Sequence, residues 1–435
     1  MKAKTIQRLL WPLVVGLGAL WLIGHGVGLA QAPAALTAIQ RLEDPVVVTG
    51  AHFPGFAGVP LDELVLYAYR SGVWTPIPFQ IDEVSITGTY VISDGGLLDD
   101  NDQLVFMPFD AGTSISATVW PSDTQSRLHA RYVISVADPL NLGSTAYAYV
   151  YRSTTLARSN ASYVTWDYDK QTATTISYTA AFSPSKFIGL ADLKINGSSV
   201  DALDRQKIRG TILGLIRFDE ETLTSFGAPT LTLPAAGPVR AAANDGDLNV
   251  AFYRSRLEFD VAFDLSVLSP DFIRTSFDWN NPITTGITTY RDSNTPAGVT
   301  INGVPDSVAT TPPIDWFQVN GGAGGPGGMV FAILNIDPSG GALTNYYKDN
   351  SAIDPDDKGD QRSYGDAGVR VDNPGTVISF TLVTYILRPG STSNVGAAYF
   401  NRALNALTAS TGEQHYPASA PDVFVYLPLV VKNSP

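Results

Sequence analysis

The sequence predicts an all-β fold, mainly antiparallel and of the β-sandwich type, carrying one or two short helices. Three observations predict it. Apolar and polar residues alternate with a period of two over several stretches, which sets one side of an extended chain on a core and the other in solvent. Thr, Val, Tyr and Phe, which fit a pleated surface, are abundant. The 39 glycines and 29 prolines, 68 together, are enough to punctuate many short connections.

In chain order, Lys2, Lys4 and Arg8 form a positive segment ahead of an uncharged run from Leu9 to Ala32, the pattern of a secretory signal. The run approaches the roughly 20 apolar residues of a membrane helix. A retained anchor is therefore the alternative, and the one route by which a membrane becomes a partner. Pro12, His25 and the glycines at 16, 18, 24 and 26 weaken such a helix. Gly28 and Ala30 stand two apart, as signal cleavage requires, so residues 1–30 are read as a leader cut after Ala30. Ala30 and Ala32 also satisfy the spacing, but Pro33 would then follow the cut. The mature protein is expected to be extracellular or at the cell surface.

Two β-units follow, 40–156 and 157–412, divided at the polar stretch from Thr154 to Ser162; an apolar tail occupies 413–435. The clearest strand alternates Leu257, Phe259, Val261, Phe263, Leu265 and Val267 with mostly polar residues, and its length calls for a bend or a division. Shorter alternations run over 146–151, 164–168 and 330–336. Residues 377–387 are apolar on both faces, as a strand inside a sandwich requires. A helical period places Ala397, Phe400, Leu404 and Leu407 on one face, with Ser393 or Asn394 as cap and Gly412 beyond its end. Asp219, Glu220 and Glu221 favour the start of a second, shorter helix. The glycine-rich stretch 321–328 lacks the Lys-Ser/Thr ending of a phosphate loop and reads as a surface loop. In the tail, Pro428 interrupts the apolar run from Val423 to Val431, and no LPxTG sortase signal is present.

The chain carries a net charge of −13, which becomes −16 once Lys2, Lys4 and Arg8 leave with the leader. Such a protein repels phosphates, which excludes nucleic acid as a partner. There is no cysteine, so disulfides, thiolate metal sites and cysteine nucleophiles are excluded. Stability must come from the core, which about 400 residues of 44% hydrophobic composition can build.

Four oxygen-bearing side chains in succession, Asp99, Asp100, Asn101 and Asp102, make a candidate calcium turn, since a hard cation takes about six to eight oxygens. The spacing is not that of an EF-hand. An acidic turn capping its own backbone is the plainer reading. Asp354, Asp356, Asp357, Asp360 and Asp366 read as a solvated acidic loop, Lys358 standing where an EF-hand needs an oxygen. Asp82, in Trp74-Thr-Pro-Ile-Pro-Phe-Gln-Ile-Asp-Glu83, is the best candidate for a catalytic carboxylate, with a partner from the 99–102 turn across a glycosidic bond. The three histidines after the leader, His52, His129 and His415, form no metal pattern, and no G-x-S-x-G elbow occurs. Tyr147, Tyr149 and Tyr151 share one strand face, as do Trp166 and Tyr168; exposed rows of this kind stack on sugar rings, and buried ones are core. Trp279, Trp316, Tyr346 and Tyr347 are further candidates to line a cleft.

Pro78-Phe-Gln-Ile-Asp82 with Asp102-Gln-Leu-Val-Phe106, then Gly237-Pro-Val-Arg240, then Tyr399-Phe-Asn-Arg-Ala-Leu404, together resemble uncharacterised exported bacterial β-rich proteins, some carrying a domain of unknown function associated with polysaccharide breakdown. The resemblance implies a carbohydrate-related role and assigns no catalytic residue. Where those relatives tend to have glutamate, this chain has Gln103, which puts any metal or catalytic task of that position in doubt. Three expectations stand: a secreted or surface β-sandwich protein that binds carbohydrate and is stabilised by calcium; a polysaccharide-acting hydrolase or lyase; and a structural envelope protein.

Overall fold

Strands take 47% of the chain and helices 9%, so the all-β expectation is met. The computed structural model describes residues 39–182, 189–224, 231–245 and 248–417. The expected leader, 1–30, and the apolar run of the tail lie outside them. Among the described residues no helix is long and apolar enough to cross a membrane.

The chain builds two sandwiches. In the first, a three-stranded antiparallel sheet in the order Val46–Thr49, Gln103–Phe106, Phe79–Asp82 faces a five-stranded sheet. Its five strands run Thr408–Gln414, Arg131–Ala137, Thr145–Arg152, Leu64–Arg70, Val73–Pro76. Between the sheets lie Phe53, Phe56, Leu66, Leu104, Phe106, Ile134 and Ala148. The outermost strand comes from the end of the chain: residues 408–414 pair along the whole of Arg131–Ala137. The first sandwich is therefore completed by a strand drawn mostly from the stretch read from the sequence as the larger unit, 157–412.

The second sandwich centres on a nine-stranded antiparallel sheet. Val377–Leu387 is its middle strand, paired on one side with Arg256–Asp264 and on the other with Gly328–Asp337, and from Leu382 to Leu387 both its faces are buried, one in the sandwich core and the other under residues 395–403. A second five-stranded sheet (Ile216–Asp219, Leu203–Ile212, Phe272–Trp279, Ser363–Asp372, Ala342–Asn350) and a four-stranded one (Leu190–Ile195, Tyr178–Phe182, Thr172–Thr175, Val164–Asp167) close the same core. The long alternation is divided as expected. The strand ends at Asp264 and the chain turns back on Leu265, so Val267 is 92% exposed rather than core.

Among the described residues there are three short α-helices: α1 (Glu220–Thr224), α2 (Pro282–Thr285) and α3 (Gly396–Leu404). Asp219 caps α1 by accepting from the Thr222 backbone N–H at 2.7 Å. Helix α3 packs Tyr399, Phe400 and Ala403 on the nine-stranded sheet, while Ala397 and Leu404 are exposed, so its buried face is turned from the one expected. The start of the helix decides this: a Cβ at Gly396 would meet the Trp316 ring at 2.0 Å, an approach only glycine permits.

The two sandwiches share a junction. Val105 and Met107 pack against Val239, Ala251 and Tyr253. Beside them the buried Asp44 accepts from Arg41 (2.9 Å), Arg256 (2.6 Å) and the Tyr385 hydroxyl (2.8 Å).

Candidate functional site

The sequence candidates fall in three different environments. Asp82 is buried in the junction. Arg240, itself buried, donates to Asp82 through Nε at 2.9 Å and through a terminal nitrogen, and Gln80 donates to its other oxygen at 2.6 Å. The Gln80 carbonyl oxygen accepts from the backbone N–H groups of Val239 (2.9 Å) and Arg240 (2.8 Å). A Cβ at Gly237 would sit 2.2 Å from Gln80. The Phe79–Asp82 strand and the turn 237–240 thus form a clamp between the sandwiches. Asp82 is committed to that clamp and has no open face toward a substrate. Gln103 belongs to the same clamp, accepting from both terminal nitrogens of Arg240 at 3.1 Å and from the Tyr90 hydroxyl at 3.1 Å.

The aromatic row is core. Tyr149 and Tyr151 are fully buried and Tyr147 half-buried. With Trp74 and Trp120 they enclose the guanidinium of Arg131, which lies 4.5 Å from the Trp120 ring and 5.1 Å from the Tyr149 ring. A cage suited to a cation is filled from within by a side chain of the same chain. Trp166 is half-buried against Phe252. Of the five aromatics, Tyr168 alone is open to solvent, and its hydroxyl donates to the Leu233 carbonyl at 3.2 Å. Trp279 and Trp316 are core as well.

The acidic turn gathers a different set of carboxylates from the four consecutive ones. Asp94, Asp99 and Asp102 bring oxygens within 4.8 Å of one another, Asp102 being buried and the other two exposed. Asp100 stays outside that group, and the Asn101 amide donates to the Val84 carbonyl. Burial pushes the Asp102 carboxyl up to about 6, with the charges of Asp99 and Asp94 adding to it and the N–H groups of Asp99 and Val84 opposing. Crowded carboxylates of this kind fit a hard cation, for which they would supply three anionic oxygens.

An open polar cavity lies elsewhere, on the outer face of the second sandwich's five-stranded sheet. It has a volume of about 360 Å³ and is bordered by Arg209, Arg217, Arg274, Tyr346, Lys348 and Arg370 together with Asp354, Asp356 and Asp357. Strand register explains the convergence: Arg209 pairs with Arg274, and Arg274 with Arg370, so three guanidiniums stand in one row across neighbouring strands. Like charges so placed repel. Two aromatic rings offset this, Arg274 lying 3.9 Å over Tyr346 and Arg370 3.8 Å over Phe272. Tyr346 and Tyr347 point to opposite sides of their strand; Tyr346 borders the cleft, and Tyr347 packs on the core.

Behind the cleft the acidic loop is pinned at Asp357, while Asp356 and Asp360 are solvated as the sequence suggests. Lys207, fully buried, donates to Asp278 at 2.5 Å, to Asp357 at 2.8 Å and to the Arg362 carbonyl at 3.3 Å. Burial alone would lower the Lys207 ammonium, but the charges of Asp366, Asp278 and Asp357 outweigh it and hold the group well above an ordinary lysine. Burial likewise raises Asp357, yet Lys207 and Arg209 hold it at about 2. The signal for this site was present in the alternation Arg205-Gln-Lys207-Ile-Arg209, a strand with a cationic outer face, but only register across strands joins it to Arg274 and Arg370. The chain matches no protein-family model, and no curated protein matches it.

Proposed function

We propose that this is an exported, non-catalytic β-sandwich protein that binds carbohydrate in the cleft of the five-stranded sheet and is stabilised by calcium at the 94–102 turn. The observation that carries the binding reading is the composition of the cleft. Aromatic rings lie beside fixed charged side chains at an open surface, and sugar rings need both a flat apolar contact and hydroxyl partners. Arg217 and Asp356, joined at 2.6 Å, are more than 70% exposed, so a hydroxyl can reach both. The secretory pattern of the N-terminus supports export.

Binding of the purified protein to a broad polysaccharide array, with calcium and then with a chelator, tests the reading. Saturable binding is expected, weakened several-fold in Arg217→Ala and in Asp356→Ala with unchanged melting temperature. No binding under either condition would end the carbohydrate reading and leave a structural envelope role.

The calcium reading makes its own prediction. Chelation at pH 7.5 should lower the melting temperature, and the effect of calcium should fade as pH drops through about 6, because a proton competes for Asp102. Without the ion the sign is opposite: a raised carboxyl favours the fold when protonated, so stability rises as pH falls from about 6 toward 4. A melt that chelation leaves unchanged at pH 7.5 would remove calcium from the proposal.

A further inference from the structure

We infer that the sugar taken by the cleft is anionic, its carboxylate or sulfate group received by Arg274 with Arg370 beside it. The inference rests on the carbohydrate reading of the cleft and narrows it to one chemical class.

Charge is the first ground. Five cationic side chains border the cleft (Arg209, Arg217, Arg274, Lys348, Arg370) beside four carboxylates (Asp219, Asp354, Asp356, Asp357), a concentration of cations in a chain of net charge −13, with Glu220, Asp366 and Asp372 answering three of them from outside the lining.

The second ground is how those cations are satisfied. Arg209 has Asp357 at 3.0 Å, Arg217 has Asp356 at 2.6 Å, Lys348 has Asp354 at 3.1 Å, and Arg370 has Asp372 at 2.6 Å. Arg274 differs. Its one carboxylate neighbour, Asp366, stands 3.8 Å away, is 1% exposed and does not border the cleft. Among the described residues the Arg274 guanidinium makes no hydrogen bond, and its Nε is buried without an acceptor. A guanidinium carries five N–H donors in a rigid fork and seeks planar or tetrahedral oxyanions.

Position is the third ground. Arg274 is flanked across the strands by two more cations, Arg209 and Arg370, and its plane is set by the Tyr346 ring. An anion seated between Arg274 and Arg370 would satisfy the first and relieve the repulsion between them. Neighbouring strands lie about 4.8 Å apart, within the span of one oxyanion's oxygens and two guanidiniums.

The test uses two matched pairs of probes: oligogalacturonate with its methyl ester, and dextran sulfate with dextran. The expected result is that at least one charged probe binds about tenfold or more tightly than its neutral form, weakens with added salt, and loses about tenfold in Arg274→Gln. Whichever charged probe prevails identifies the group as carboxylate or sulfate. Arg370→Gln, at a side chain 38% exposed, should show the same loss and keeps the test valid if Arg274→Gln fails to fold. Equal binding of charged and neutral probes, or binding unmoved by both substitutions, overturns the anionic assignment while leaving the carbohydrate reading standing. Binding to none of the four probes, nor to any neutral polysaccharide of the array, overturns both.

Discussion

Arg240→Ala is expected to destabilise the protein by about 3–5 kcal/mol, because it leaves the buried carboxylate of Asp82 without its counter-charge. The clamp explains the size of the effect. Arg240 and Asp82 are 2% and 5% exposed at the side chain, so water cannot replace the lost partner. Gln103, Tyr253 and the stacked Tyr90 ring lose the same guanidinium. The loss also falls on a junction, where it loosens one sandwich from the other. Replacing both partners by apolar residues, Arg240→Met with Asp82→Leu, should recover most of the stability, since an empty ion pair costs more than an absent one. Urea unfolding of the two single variants and the double variant measures this. A double variant no more stable than Arg240→Ala would show that the clamp acts through something other than charge.

Lys207→Met should be as damaging at neutral pH and should differ in its pH dependence. The substitution removes one ammonium from Asp278 and Asp357 at once, also leaving Asp366 without a nearby cation of that strength. A loss of about 3–5 kcal/mol is expected at pH 7. In the native protein Asp357 is held at about 2 against an ordinary 3.8, so its contribution is complete above pH 4 and disappears as pH falls toward 2. In the variant the stranded carboxylates take up protons more readily, so the fold regains ground on acidification. The stability gap between the two proteins should therefore narrow between pH 7 and pH 4. Denaturation at both pH values checks it, and a gap that stays constant would mean that Lys207 acts by packing alone.

How far the sequence alone could reach follows from what each signal encodes. Period-two alternation reports which side of one strand is buried, and so the strand class, the buried strand 377–387 and the need for a break in the long alternation were legible, whereas the place of that break at Asp264 was not. It does not report which strand lies next to which. Tyr149 and Tyr151 alternate as an exposed row would, but the segment holding Trp120 covers them and Arg131 fills the cage. Asp82 sits in a polar, distinctive motif, yet the residue that explains it is 158 positions away. The cleft was hardest to see for the same reason: Arg209, Arg274 and Arg370 meet through the register of three strands, and no short window contains two of them. Asp102 was named as a calcium ligand from local crowding, and Asp94, which completes the group, was not, since two glycines and two leucines separate it from the run.

The closing strand of the first sandwich sets an order of events in the making of the protein. Tyr132 and its partner Glu413 are 281 positions apart. At a synthesis rate of about 5–20 residues per second, the strand Arg131–Ala137 waits on the order of 15 to 55 seconds before its neighbour exists. Throughout that interval it offers a row of unpaired N–H and C=O groups to any other chain. A newborn molecule of this protein is thus most vulnerable to misassociation not while its larger half is folding, but for as long as its smaller half stands open at one side.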